Sequence, residues 1–121
     1  MVDKNGVRMD ILMKISEKTA DIEDWNEEER IFWRGRKPIN EPTWVYFVRN
    51  GCIIGKVRYV DYRYEKGENL QGRIQEGGAF VLKGPLIRPT KDILLPKEIL
   101  RGPWRWRYVN DDVTTKINLD F

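Results

Sequence analysis

Histidine is absent from this chain and cysteine occurs once, at position 52. The absence of imidazole excludes the Ser-His and Cys-His nucleophile pairs and any imidazole acid or base. It also removes the common zinc ligand sets, and a single cysteine cannot close a disulfide within the chain. No metal and no cofactor are therefore expected, and Cys52, which follows a turn with no histidine beside it, reads as inert. Long apolar runs are missing too: nothing approaches the ~18 residues of a membrane span. The opening M-V-D-K-N-G is not a basic stretch leading into an apolar one. These absences lead to the expectation of a soluble, cytoplasmic protein with no membrane partner, whose chemistry, if it has any, runs on carboxylates, lysine, tyrosine or hydroxyls.

What is present is unevenly distributed charge. The net charge is +3, but residues 30–109 hold 17 Lys or Arg against 7 Asp or Glu, residues 1–29 hold 4 against 9, and residues 110–121 hold 1 against 3. A central block this basic attracts polyanions, and nucleic acid is the first partner to consider. The competing reading is a surface rich in Lys and Glu of the kind that keeps thermophilic proteins folded and soluble. That reading explains total charge better than it explains segregation.

The stretch R-G-P-W-R-W-R-Y at 101–108 carries the same theme in miniature. In a strand, Trp104, Trp106 and Tyr108 would share one face while Arg105, Arg107 and Arg101 turn to the other. Either the indoles stack bases while the guanidiniums hold phosphates, or the Trp face is core and the Arg face is solvated surface.

The 121 residues suffice for one domain, 1–121, that buries ~65% of its unfolded surface without staples. Val7, Met9, Ile11, Met13 and Ile15 alternate as a strand with one buried face, leaving Leu12 on the outer side. Thr19 or Asp21 could cap a short helix holding Ile22 and Trp25. Its acidic run would repel phosphate and is expected away from any nucleic-acid face. A short strand over 30–34 leads into a loop punctuated by Pro38 and Pro42. Asn50-Gly51 between apolar runs predicts a type I′ hairpin, with Arg49 opposite Cys52, Val48 opposite Ile53, Phe47 opposite Ile54 and Tyr46 opposite Gly55. Residues 63–78 read as a flexible loop of the kind that lines sites, residues 79–83 as a strand broken by Gly84-Pro85, and residues 89–96 as an extended crossing with little room for helix. Val113, Thr115, Ile117, Leu119 and Phe121 predict a C-terminal strand. The expected fold is mainly β with short helices (α+β), a closed or nearly closed mixed barrel of about six strands, because closure removes exposed sheet edges.

Three segments, I-I-G-K-V-R-Y-V-D at 53–61, G-A-F-V-L-K-G-P-L-I-R-P at 78–89 and L-P-K-E-I-L-R-G-P-W-R-W-R at 95–107, occur in an order that resembles the ASCH and EVE branch of PUA-like domains over about residues 30–109. The resemblance implies a PUA-like pseudo-barrel with small helices, Trp106 and Trp104 in its core, and a basic cleft for RNA or a modified base. Some ASCH domains are ribonucleases or amidohydrolases of acylated cytidine, with a G-x-K-x-x-E-x-R signature. Gly35 and Lys37 match its first two positions, but Asn40 stands where Glu is required, Glu41 comes one residue late, and Pro42 replaces the Arg. A lysine without its correctly spaced carboxylate lacks the group that takes or positions the proton.

The candidate nucleic-acid contacts are Trp33, Arg34, Arg36, Lys37, Arg101, Arg105 and Arg107, since Arg can fork onto phosphate and stack on a base. Arg58 and Arg63 flank Asp61 and read as its ion-pair partners. Lys37, Glu41 and Tyr46 form the one conceivable acid/base set. Three functions follow: a nucleic-acid-binding module preferring RNA over DNA and an unpaired or modified base; a small ASCH-type hydrolase using Lys37 and Glu41; and a protein-interaction module, which requires Trp104 and Trp106 to be largely exposed.

Overall fold

The computed structural model describes residues 9–19, 22–69 and 72–121. Their architecture is one sheet of seven strands with two single-turn helices, so the chain is mainly β, as the alternating patterns require. In chain order the elements are β1 (Ile11–Lys14), β2 (Glu29–Phe32), β3 (Trp44–Arg49), β4 (Cys52–Glu68), β5 (Ile74–Ile87), β6 (Ile93–Leu94), α1 (Lys97–Leu100), β7 (Trp106–Tyr108) and α2 (Asp111–Thr114). The sheet runs β2-β5-β4-β3-β1-β7, with β6 paired to the start of β4. Only β1 and β3 run parallel.

The sheet is covered on both faces. One core gathers Ile11, Met13, Val45, Phe47, Phe80, Leu82 and Trp106 with Ile22 and Trp25 from the segment before β2. The other gathers Leu12, Tyr46, Val48 and Ile53 under Leu95, Ile99 and Val113. Burial on two sides explains why β1 and β3 read as I-L-M and V-Y-F-V rather than as a strict alternation. Leu12, placed on an outer side by the pattern, is fully buried in the second core. Val7 lies outside the described residues.

The expected closed barrel does not form, because β2 and β7 remain edges. Both are short, and side chains stand between them: Phe80 meets Trp106 edge-on with ring centroids 5.8 Å apart, and Arg36 lies 4.3 Å over the Trp106 ring. Interposed rings hold the two backbones beyond the ~4.8 Å spacing of hydrogen-bonded strands.

The Asn50-Gly51 turn is present, both residues at positive φ (54° and 77°). Its first two pairs, Arg49 with Cys52 and Val48 with Ile53, are the expected ones. A bulge at Ile54 then shifts the register, so that Phe47 faces Gly55 and Val45 faces Val57. The shift puts Val45, Phe47 and Val57 in the same core. Gly55 makes room for Leu86 and the Ile87 carbonyl, not for Tyr46.

Residues 63–78 form no loose loop. β4 runs on to Glu68 and β5 starts at Ile74, giving a two-stranded ribbon with register through Tyr64–Gly78 and Glu68–Ile74. Its alternating charges are the mark of a ribbon solvated on both faces. Similarly, β5 continues through Gly84 and Pro85. The helix predicted near Thr19 is absent: the described residues make turns, Thr19 N–H to the Ser16 carbonyl and Trp25 N–H to the Ile22 carbonyl, and Asp21 lies outside them. The Pro96 carbonyl accepts from Ile99 and Leu100, so a turn of helix does fit after the crossing.

The C-terminal strand is also not observed. Asp111 and Asp112 open α2, where carboxylates favour the helix start, and Val113, Ile117, Leu119 and Phe121 still pack on the second core. Their period reports one buried side, which an irregular chain satisfies as well. Within this core Lys56, 8% exposed, places its ammonium 4.5 Å from the centre of the Trp44 ring and 4.9 Å from that of Phe121.

A side chain at Gly84 would meet the Asn26 carbonyl oxygen at 1.7 Å, whereas one at Gly67 would make an ordinary 3.6 Å contact with Trp33. Gly84→Ala is expected to lose about 3 kcal/mol of stability in urea denaturation, and Gly67→Ala to stay within about 0.5 kcal/mol of the parent.

Candidate functional site

The gap between the sheet edges is a cleft of about 410 Å³. Its floor is the end of β2 and the two residues after it, Ile31, Phe32, Trp33 and Arg34. One wall carries Ser16, Thr19 and Arg105, the last held beside β1 by the bond from Lys14 N–H to its carbonyl (2.9 Å). Glu68, Asn69 and Gln75 of the β4–β5 ribbon form the other.

Arg34 is half-buried in this cleft. Its guanidinium is held below its ordinary pKa, first by burial and then by the positive charge of Arg105. Neither arginine has a carboxylate within ion-pairing distance among the described residues. Two guanidiniums sharing one cleft without a counterion leave a site for an anion supplied from outside.

Trp33 lies against the backbone of Gly67. Its indole N–H is buried without an acceptor among the described residues. The chain's own cations cover the other four tryptophans: Lys14 on Trp104 at 4.1 Å, Arg30 on Trp25 at 5.2 Å, Arg36 on Trp106 at 4.3 Å and Lys56 on Trp44 at 4.5 Å. Among the described residues no cation lies over Trp33.

The other candidates lie elsewhere. Arg36 is used on Trp106, and the segment around it straps the open side of the sheet: the Tyr62 hydroxyl donates to the Gly35 carbonyl, and the Tyr108 oxygen accepts from the N–H groups of Ile39 (2.8 Å) and Asn40 (3.1 Å). Lys37 is exposed on this strap, and Arg101 is exposed after α1. Arg107 is ion-paired with Asp112 at 2.6 Å. The expected pairing of Arg105 with Arg107 on one face thus separates, because the chain is not strand before Trp106 and Arg105 turns toward the cleft. For the same reason Trp104 leaves the face of Trp106 and Tyr108 and packs on the second core, its N–H on the Ile99 carbonyl (3.1 Å). Trp106 is 2% exposed, so the open aromatic face that a protein-interaction module requires is not there.

Lys37, Glu41 and Tyr46 are not brought together. Lys37 and Glu41 are exposed and form no ion pair with each other, while Tyr46 is buried in the second core with its hydroxyl donating to the Leu119 carbonyl (3.4 Å). Burial, then Asp10 and Asp120, push its phenol well above the usual range. Under the strap, Tyr59 is pushed up to about 12 by burial first and by Glu41 and Asp61 after it, and its hydroxyl is buried without a partner among the described residues. Arg63 pairs with Glu29 and Glu65, not with Asp61, whose carboxylate accepts from the N–H of Tyr62. Arg58 lies over the Trp44 ring at 5.7 Å.

No described acid of the run at 21–29 lines the cleft; Glu23 pairs with Arg49, Glu28 with Arg30 and Glu29 with Arg63, so the run neutralises part of the basic block elsewhere. Among the cleft residues that sequence reasoning missed are Ser16, Thr19, Glu68 and Gln75. The assignment of 63–78 as a site-lining segment pointed to the last two, but nothing in S-E-K-T marks the first two.

The unpaired Arg34 charge costs the free protein stability. Arg34→Met is expected to gain about 1 kcal/mol in urea denaturation, and sulfate, an anion for which only the folded chain offers this cleft, should raise the midpoint of the parent more than that of the variant. Tyr59→Phe removes a hydroxyl without a partner and should gain about 0.5–1 kcal/mol. The fold favours the neutral Tyr59 phenol, so this contribution is full below pH ~10, where the unfolded chain ionises, and is lost as pH rises toward 12. Denaturation midpoints between pH 9 and 12 should therefore fall more steeply for the parent than for Tyr59→Phe. Comparison with protein families, with curated proteins and with solved structures finds no significant match to this chain.

Proposed function

We propose that this protein is a nucleic-acid-binding module that takes an unpaired base, of RNA rather than DNA, in the cleft between its sheet edges. The observation that carries the reading is the Arg34–Arg105 pair: two guanidiniums in one cleft, one half-buried, with no carboxylate to neutralise them. Structural ion pairs hold Arg30, Arg49, Arg63 and Arg107, and Arg36 and Arg58 lie over tryptophan rings; Arg34 and Arg105 are the arginines that line the cleft. Trp33 beside them supplies a ring not covered by a cation of the chain, and a ring next to guanidiniums is the combination that holds single-stranded nucleic acid. Lys37 and Arg101, exposed and unpaired among the described residues, would lengthen the path of the phosphates.

A PUA-like origin of the ASCH and EVE type agrees with this. The I-I-G-K-V and G-A-F-V-L-K segments fall on β4 and β5, and R-G-P-W-R-W-R leads into β7. The fold would then be a pseudo-barrel opened at one seam, with the cleft in the seam.

Fluorescence anisotropy of labelled single-stranded RNA, single-stranded DNA and duplex DNA tests the proposal across salt. Single-stranded RNA should bind tightest, and affinity should fall linearly in log–log form with salt. Arg34→Ala and Arg105→Ala should each weaken binding about tenfold and reduce the salt slope by about 1. Arg107→Ala should change binding less than about twofold, since that charge is already paired with Asp112. Affinity indifferent to salt, or no binding at low ionic strength, would sink the proposal.

A further inference from the structure

The two arginines of the cleft come from opposite edges of the sheet and still act on each other, since the charge of Arg105 helps to lower the pKa of Arg34. Arg105 is held beside β1 by the bond from Lys14 N–H to its carbonyl. Ser16, two residues beyond Lys14 and so about 7 Å along the chain, lines the same cleft with Thr19. We propose, resting on the nucleic-acid reading above, that this end of the cleft seats a terminal phosphate, the monoester at the end of a single RNA strand.

Charge separates a terminal phosphate from an internal one. A phosphodiester within the strand carries one negative charge on two free oxygens, whereas a monoester carries about −1.5 to −2 at pH 7 on three. Arg34 and Arg105 bring two positive charges to the cleft, and neither has an ion pair among the described residues. A diester leaves one guanidinium without a counter-charge; a monoester neutralises both. Arg34 is half-buried, and a charge left over there costs more than one on the open surface.

Donor supply points the same way. The Ser16 and Thr19 hydroxyls stand 3.4 Å apart, so one hydroxyl hydrogen can turn into the cleft while the other bonds its neighbour. With a fork from each guanidinium this makes about five donors, more than the ~four acceptor sites of two diester oxygens and within the ~six of three monoester oxygens. The opposite wall does not repel a phosphate. Gly67 pairs with Gln75 and Glu68 with Ile74, so Glu68 points away from the ribbon face on which Gly67 meets Trp33. Its carboxylate lies beside Gly72, and the neutral Gln75 shares the face of Trp33. A cleft of about 410 Å³, near the small end of ligand pockets, has room for the phosphate and the one nucleoside that carries it.

Fluorescence anisotropy of the full chain with internally labelled single-stranded RNA of one sequence tests the assignment. The strand carries a 5′-phosphate, a 3′-phosphate, or hydroxyls at both ends. A hydroxyl-ended strand one nucleotide longer adds the same phosphate as a diester and so controls for total charge. At least one phosphorylated strand should bind about tenfold tighter than both hydroxyl-ended ones, and the two arms tell which end is seated. Lowering the pH from about 7.5 to about 5.5 protonates the monoester, whose second pKa is about 6, while the chain has no histidine to titrate in that range. The advantage should then shrink about threefold. In Arg34→Met, expected to be more stable than the parent and therefore folded, it should fall below about twofold. Equal binding of all four strands by the parent overturns the proposal, as does an advantage that persists unchanged in Arg34→Met or at the lower pH. If the hydroxyl-ended strands still bind with salt dependence in that case, the terminal assignment has failed and the broader reading stands; if no strand binds at low salt, both fall together.

Discussion

The edge-on contact between Phe80 and Trp106, 5.8 Å between centroids, is the constraint from which the site follows. Phe80 is on β5 and Trp106 on β7, and β4, β3 and β1 lie between them in the sheet. For these rings to touch, the sheet must curl until its edges face each other. Tyr59 and Tyr62 pack on the same Phe80 ring, and Tyr108 on Trp106, so the curl rests on a cluster of aromatic rings rather than on one pair. Edge-to-face contacts of this kind add about 0.5–1.5 kcal/mol each beyond buried area. The same rings that draw the edges together fill the space in which they would have to hydrogen-bond. The result is a seam, and the cleft is the part of the seam that the rings leave open.

Curling also decides which charges meet. Arg34 follows β2 and Arg105 precedes β7, so they belong to opposite edges and are 71 positions apart in the chain. Only the closing of the sheet brings one charge to bear on the other. A fold selected for stability alone would place a carboxylate between them, and this chain has acids to spare: Glu23, Glu28 and Glu29, close before the cleft strand or within it, are used on Arg49, Arg30 and Arg63. Arg34 is half-buried and has no ion pair among the described residues, while Arg30 on the edge strand that leads to it is paired with Glu28.

The fold class was legible because period-two patterns and Asn-Gly turns are local signals. β2 and the hairpin turn follow from short windows of sequence, whereas the alternation at 101–108 left burial and base stacking of Trp106 both open. What was not legible depends on long-range geometry. The Ile54 bulge is set by which residues must reach the core of β5, not by the turn that starts the hairpin. The ribbon over 63–78 has no apolar face, so nothing in its sequence distinguishes it from a charged loop. At the C-terminus, Val113, Ile117, Leu119 and Phe121 show a strand period, but the element that forms beside them is a helical turn with two aspartates in its first turn. In the site, Trp33 and Arg34 could be named from composition, and Arg105 from the Trp–Arg repeat. Ser16 and Thr19 could not, since their place opposite β2 exists only once the sheet has curled.

Most of the tryptophans that first pointed toward nucleic acid turn out to be covered by cations of the chain itself. Cations lie over Trp25, Trp44, Trp104 and Trp106, contacts worth about 0.5–2 kcal/mol depending on desolvation. In this protein the cation over a tryptophan comes from elsewhere in the chain, an internal device that adjacency of Trp and Arg in the sequence does not reveal. The informative residues are the ones the device does not use. Among the described residues, Trp33 is the tryptophan without a cation, and Arg34 and Arg105 are cleft arginines without either a ring or a carboxylate. All three line the same seam, and on that placement the proposed binding of an unpaired base rests.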